Sequence, residues 1–333
     1  TNDPKLIKNT LWILQNLPPG PTLHCRACRL LGNLCLSEHY AQLVCVQGGI
    51  PVLSTVVKSE TSTQTLSTAI RTIKNIWVSY RPSHVRILDV KLVRDISHML
   101  ANTSDKYFAD QTQTKYKYLL ETCMKAVKVF VEDGEFKTRS QLALSLSRPK
   151  IVHLCENKFS LAFTILTSLA KLPENRPELG TCNAIKMLIN CCKSTTPEFS
   201  LNPIKDDIIT ALCLFAREAV NRAKIRDDGG IQVLLKLLSN DINEAHHNEL
   251  LLSLTQFRGD DVSLKIMLDN GIVTILANIM GKMLDRAGPS WGEEGLVIKT
   301  DRELILSRLR SVITEDSKMS GVARSRFSLD YIP

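Results

Sequence analysis

Apolar residues recur along this chain at i, i+3, i+4 and i+7, the spacing that lines one face of an α-helix. The matching sets are Ala27-Leu30-Leu31-Leu34, Ala69-Thr72-Ile73-Ile76, Cys123-Ala126-Val127-Phe130, Ala162-Ile165-Leu166-Leu169, Leu212-Phe215-Ala216-Ala219 and Leu250-Ser253-Leu254-Phe257. They begin about 40 to 50 residues apart, the period of two- or three-helix solenoid repeats. Between them a second pattern returns, a glycine turn followed by an apolar helix: "VQGGIPVLSTVV", "RDDGGIQVLLKLL" and "LDNGIVTILANIM". Glycine there supplies positive φ or a close approach, so one helix ends and the next sets off almost at right angles. Pro51 suits a first helical turn, where its missing N–H costs little. "LDVKLVRDISHML" has no glycine at the same place and predicts a less sharp turn. "ANTSDKYFADQTQTKYK" and "CKSTTPEFSLNPIKDD" read as inserts that join a second helix to a third at one rim.

These units resemble armadillo repeats, with a short first helix, a Gly-Gly-Ile turn, a second helix and a long third helix. "ACRLLGNLC" and "AIRTIKNIW" come nearest to that pattern. HEAT repeats are the runner-up and usually lack the glycine turn. The resemblance implies an all-α, right-handed armadillo-repeat α-solenoid of about six to seven repeats. Residues 1–285 form the repeat domain, with a partial first repeat. Residues 286–333 read as a linker, an amphipathic helix bearing Leu306, Leu309 and Ile313, and a tail that docks through Phe327, Leu329 and Tyr331. The opening "TNDPK" reads as a domain start with an upstream segment missing, and no signal peptide is evident.

In an armadillo array the third helices line the binding groove. Counting i+2, i+5 and i+6 from each apolar set gives the polar slots. The candidate groove residues are Arg29, Asn33, Arg71, Lys74, Asn75, Lys125 and Lys128, then Arg217, Glu218, Asn221, Arg222 and Gln256. The first seven form a basic stripe with two asparagines; the rest are mixed. Asn221 and Arg222 are expected to close the third helix that carries Arg217 and Glu218. Armadillo proteins use asparagine ladders to hold the backbone of an extended peptide, because an amide both donates and accepts. Import receptors add tryptophans and acidic residues for basic cargo. Here lysine and arginine stand instead, with Trp77 alone nearby, so an acidic or phosphorylated peptide is the better electrostatic match.

The formal charge of +8 also leaves a nucleic-acid or chromatin-associated role as the alternative. Few aromatic residues alternate with the basic ones, so stacking platforms for single strands are lacking. Catalysis finds no support: the histidines are scattered, and no phosphate-binding glycine loop or nucleophile elbow occurs. No metal or cofactor is expected. The ten cysteines fall mainly in apolar runs. Even the C-x-x-C of Cys25 and Cys28 lies within a helical stretch and has no second pair at zinc spacing. They read as reduced, small hydrophobes of an intracellular protein. No apolar stretch approaches the roughly 20 residues of a membrane helix, so no membrane partner is expected.

"TALCLFAREAVNRAKIRDDGGIQVLLKLLSND" is similar to one repeat of the armadillo repeat-containing protein five family, and "ACRLLGNLC" to an earlier one. That resemblance implies a substrate adaptor of a cullin-3 ubiquitin ligase, in the nucleus and cytoplasm. Its armadillo part would capture the largest subunit of RNA polymerase II through an acidic or phosphorylated segment. A BTB domain, absent from this chain, would bind cullin-3. Exposed solenoid ends add a homodimer as a further expected partner.

Overall fold

The computed structural model describes residues 3–20, 22–193 and 204–287. The C-terminal helix and tail expected around Leu306, Leu309, Ile313, Phe327, Leu329 and Tyr331 lie outside the described residues, as does most of the second insert. Among the described residues every regular element is helical. They fall into two compact units, Thr1–Leu169 and Ala170–Pro333.

Unit 1 opens with α1 (Asp3–Asn16) and α2 (Leu23–Leu34). Three helix triplets follow: α3 (Glu38–Val46), α4 (Gly49–Ser59) and α5 (Thr63–Ser79); α6 (Ser83–Asp89), α7 (Leu92–Ala109) and α8 (Thr114–Asp133); α9 (Phe136–Ser145), α10 (Arg148–Glu156) and α11 (Ser160–Ala170). Unit 2 continues with α12 (Arg176–Thr181), α13 (Ala184–Lys193) and α14 (Ile204–Phe215), then α15 (Ala219–Asp227), α16 (Gly230–Leu238) and α17 (His247–Thr255). It ends, among the described residues, with α18 (Asp261–Asp269) and α19 (Ile272–Ala287).

The Gly-Gly turns divide their work. Gly229 adopts φ +77°, the left-handed conformation that stops α15. Gly230 needs its missing Cβ, which would lie 2.8 Å from the Ile225 carbonyl oxygen. Gly48 and Gly49 repeat the arrangement, and α3 meets α4 at 81°. The glycine-free turn is not the weaker one expected: Lys91 itself takes φ 63° and starts α7 in the same way. Tertiary packing of Leu92 and Val93, both fully buried, outweighs the roughly 1–2 kcal/mol that a side chain costs there. Asn183 makes a further turn of this kind, φ 63°, before α13.

Four of the six apolar sets are buried as read. The first is turned by one residue, because α2 packs on α5 through Cys28, Leu31, Gly32 and Cys35 while Leu30 is exposed. Gly32 decides this: a Cβ there would stand 2.7 Å from the Thr72 hydroxyl, so only glycine lets the helices close. The fifth set breaks at Ala219, which is exposed and belongs to the next helix. The first insert does join a second helix to a third, and most of it is helical. α7 runs through it to Ala109, and Asp110 then turns the chain by accepting from the Thr112 backbone N–H, the Thr112 hydroxyl and the Gln113 amide.

First helices are stitched to one another by side chains that meet carbonyl groups at helix C-termini, where backbone acceptors lack partners. Arg86 of α6 donates to the Cys45 oxygen of α3 (2.7 Å), Gln141 of α9 to Leu88 of α6 (2.7 Å), and Lys224 of α15 to Gly180 of α12 (2.9 Å). Each acceptor is the penultimate residue of its helix. Second helices add Lys58 to Val90 and Lys193 to Asp228, at 3.5 and 3.0 Å. Cations suit that negative end of the helix dipole.

Candidate protein-binding face

In unit 1 the third helices α2, α5 and α8 lie side by side, and two kinds of seam hold them. Between α2 and α5 the seam is polar. The Thr72 hydroxyl donates to the Cys28 carbonyl (2.8 Å), the Asn75 amide to the Gly32 carbonyl (2.7 Å), and Ser79 to the Leu36 carbonyl (3.4 Å). Between α5 and α8 it is apolar: Trp77 meets Phe130 edge-on, with ring centroids 4.8 Å apart. Trp77 is buried and stacks on His84, whose Nδ1 lies 3.2 Å from Asp133, so it is not available to a groove ligand.

The outward stripe of these helices carries the charges. Arg29 and Asn33 are exposed on α2, Arg71 and Lys74 are half-buried on α5, and Lys125 and Lys128 stand on α8. Arg71 crosses between helices and donates from Nη2 to Asn33 Oδ1 at 2.8 Å. Lys128 sits 3.6 Å from Glu132 on its own helix. Among the described residues no carboxylate pairs with Arg29, Arg71, Lys74 or Lys125. Lys74 registers the crowding: burial holds its pKa below the ordinary lysine value, and the like charges of Arg71 and Lys125 push it the same way. An anion settling among these three would relieve that repulsion.

Asn75 requires a correction. It is only 5% exposed and its N–H is held by Gly32, so it binds the neighbouring helix and cannot both donate to and accept from a peptide. Asn33 already accepts from Arg71. The expected two-member ladder is therefore an internal brace.

Unit 2 departs further from expectation. α14 ends at Phe215, so Arg217 and Glu218 lie in the turn, and Asn221 and Arg222 open α15 in place of closing a third helix. Glu218 Oε1 receives Arg176 Nη1 at 2.8 Å, and the same guanidinium donates to the Ala170 and Lys171 carbonyls. Asn221 is fully buried and donates to the Arg176 carbonyl at 2.9 Å. Arg222 donates to the carbonyls of Ala216 and Arg217, in the turn that follows α14. Gln256, just past α17, folds back toward the Leu252 carbonyl at 3.4 Å. The exposed ends of α14 and α17 are joined by His246, 3.0 Å from Asp206 and 3.6 Å from Glu249, while Thr210 donates to Glu249.

The cysteines offer no nucleophile to this face. Cys25 and Cys28 point into the α2–α5 core, and burial pushes the Cys28 thiol up to about 12. Such a thiol stays protonated at neutral pH and reacts poorly. Two surface residues escaped the sequence reading: Val78 and Leu36 are 63% and 69% exposed. Val78 follows Lys74 by four positions and so shares its helix face, a signal hidden because "NIWV" reads as continuous core.

The ARMC5 armadillo family model matches residues 2–276. The chain belongs to the ARMC5 armadillo-repeat family. Its helix triplets are those of an armadillo-repeat α-solenoid, and solved structures agree on the fold. An engineered protein is 17% identical with a TM-score of 0.65, the match covering 93% of this chain and 71% of that one. Computationally designed armadillo repeat proteins for modular peptide recognition give 15% identity and a TM-score of 0.60, over 75% of this chain and 99% of theirs. No curated protein matches this ARMC5-family chain significantly. No single described helix is long and apolar enough to cross a membrane.

Proposed function

We propose that this ARMC5-family chain captures an acidic or phosphorylated segment of a protein substrate on the third-helix face of unit 1. The armadillo fold is a protein-binding one and not a catalytic one. The observation that carries the reading is the cluster of Arg71, Lys74 and Lys125, which lacks any carboxylate partner among the described residues. Charge-assisted hydrogen bonds from arginine and lysine to carboxylate or phosphate are roughly twice as strong as neutral ones. In the wider reading, supported by family membership, the chain is the substrate-recognition part of a cullin-3 ubiquitin ligase adaptor. Its substrate is the largest subunit of RNA polymerase II, its BTB domain lies elsewhere, and it works in nucleus and cytoplasm.

The test is capture of that subunit by the chain and by its Arg71→Glu/Lys74→Glu/Lys125→Glu variant. Capture should fall at least about tenfold in the variant, a change of 1.4 kcal/mol or more, with unchanged circular dichroism. Undiminished capture would move the site off this face. Duplex oligonucleotide serves as competitor: if it displaces the protein ligand with a steep salt dependence, the nucleic-acid reading prevails.

A further inference from the structure

The cationic stripe of α5 does not end in charge. Arg71, Lys74 and Val78 succeed one another at helical spacing on one outward face, and Val78 remains 63% exposed at the C-terminal end of the helix. One residue on, the Ser79 hydroxyl donates to the carbonyl oxygen of Leu36 in the chain leaving α2, and Leu36 is 69% exposed. Two exposed aliphatic residues, from two adjacent repeats, thus lie toward the C-terminal end of the helix that carries Arg71 and Lys74. On α5 itself Ile76, two residues before Val78, is fully buried. Four residues of helix span about 6 Å. Two residues of extended peptide cover a similar length.

Resting on the reading above, we infer that the ligand is an acidic–apolar linear motif. A carboxylate or phosphate seats among Arg71, Lys74 and Lys125, and an apolar side chain within about two residues of it covers Val78 and Leu36. Charge supplies attraction and rate, whereas contact with the apolar pair supplies discrimination between acidic segments. A uniformly acidic tract meets the cations but leaves Val78 and Leu36 wet. A motif with leucine or phenylalanine at the right distance removes both from water.

The experiment uses four labelled peptides, measured by fluorescence anisotropy against the whole chain. Each has a Gly/Ser frame carrying either an Asp-Asp pair or one phosphoserine, followed two residues later by either Leu or Ser. The Leu peptides should bind about tenfold tighter than their Ser partners. Val78→Ser and Leu36→Ser should erase that difference while leaving the Ser peptides' affinity unchanged. Both sites are exposed, so unchanged thermal melting is expected and confirms folding. Equal binding of Leu and Ser peptides, or a difference that survives Val78→Ser with Leu36→Ser, overturns the apolar half and leaves the cationic site standing. Failure of all four peptides overturns the cationic reading and this one with it. The ratio of phosphoserine to Asp-Asp affinity identifies which anion the cluster takes.

Discussion

Units 1 and 2 are built from the same triplet, yet they use their polar residues in opposite ways. On the third helices of unit 1, Arg29, Arg71, Lys74 and Lys125 face outward with no carboxylate partner among the described residues. In unit 2 several charged residues are engaged within the fold: Glu218 with Arg176, Arg226 with Asp260, and His246 between Asp206 and Glu249. One repeat architecture therefore leaves a cluster of cations without carboxylate partners in one unit and ties several charged side chains to one another in the other. Charge type alone does not make the difference, since Arg222 of unit 2 is as cationic as Arg71 and yet donates to the carbonyls of Ala216 and Arg217. What matters is whether a helix end or a carboxylate lies within reach.

Arg176→Met should break this comparison most severely. It strips Glu218 and the carbonyls of Ala170 and Lys171 of their donor at a nearly buried site, and a loss of about 2–4 kcal/mol is expected. Amide hydrogen exchange would report it as faster exchange in α12 and α15 with protection in α2 and α5 retained. Equal loosening of both units would show that the charges of unit 2 are not a local brace.

Lys74→Met in unit 1 should do the reverse. The folded state disfavours the charged lysine, because burial and its cationic neighbours lower its pKa. The sign follows directly. Below the lowered pKa the wild-type charge opposes folding, and above the unfolded value the penalty is gone. The variant should therefore be somewhat more stable than wild type at neutral pH and lose that advantage in alkali, measured by urea denaturation across pH. Anion affinity of the wild type should also fall as pH rises through the lowered Lys74 pKa. In the variant that step should vanish, together with several-fold of affinity.

The smallest effect is expected at Lys91→Gly. Relief of the left-handed strain, less glycine's greater backbone entropy loss, should leave about 0.5–1 kcal/mol of added stability in unit 1. A destabilised variant would mean that the Lys91 side chain contributes to the turn more than its φ costs.

Much of the fold was legible because helical solenoids repeat their chemistry locally. The i, i+3, i+4, i+7 sets and the Gly-Gly turns recur at one period, and each turn works with residues a few positions apart. The left-handed turn at Asn183 was missed, and the one at Lys91 was read as less sharp, for the opposite reason. Lysine does not announce positive φ and asparagine announces it far less than glycine, so the buried helix that follows each of them is what fixes it. The face was legible in half: Arg71, Lys74 and Lys125 converge as their spacing implied, whereas Asn75 and Asn221 turn inward. Outward and inward slots differ by one residue, about 100° of helix, and a periodic pattern does not fix that rotation when a small residue such as Gly32 sets how closely two helices approach.

The sequence by itself thus determined the helix triplets, their period and the family to which they belong, since these rest on local propensity and on apolar spacing. Tertiary structure alone decided which polar groups remain available. A buried amide or guanidinium must find a partner, because an unsatisfied one costs about 1–3 kcal/mol, and that partner sits some forty residues away in the neighbouring repeat, where no local pattern reaches.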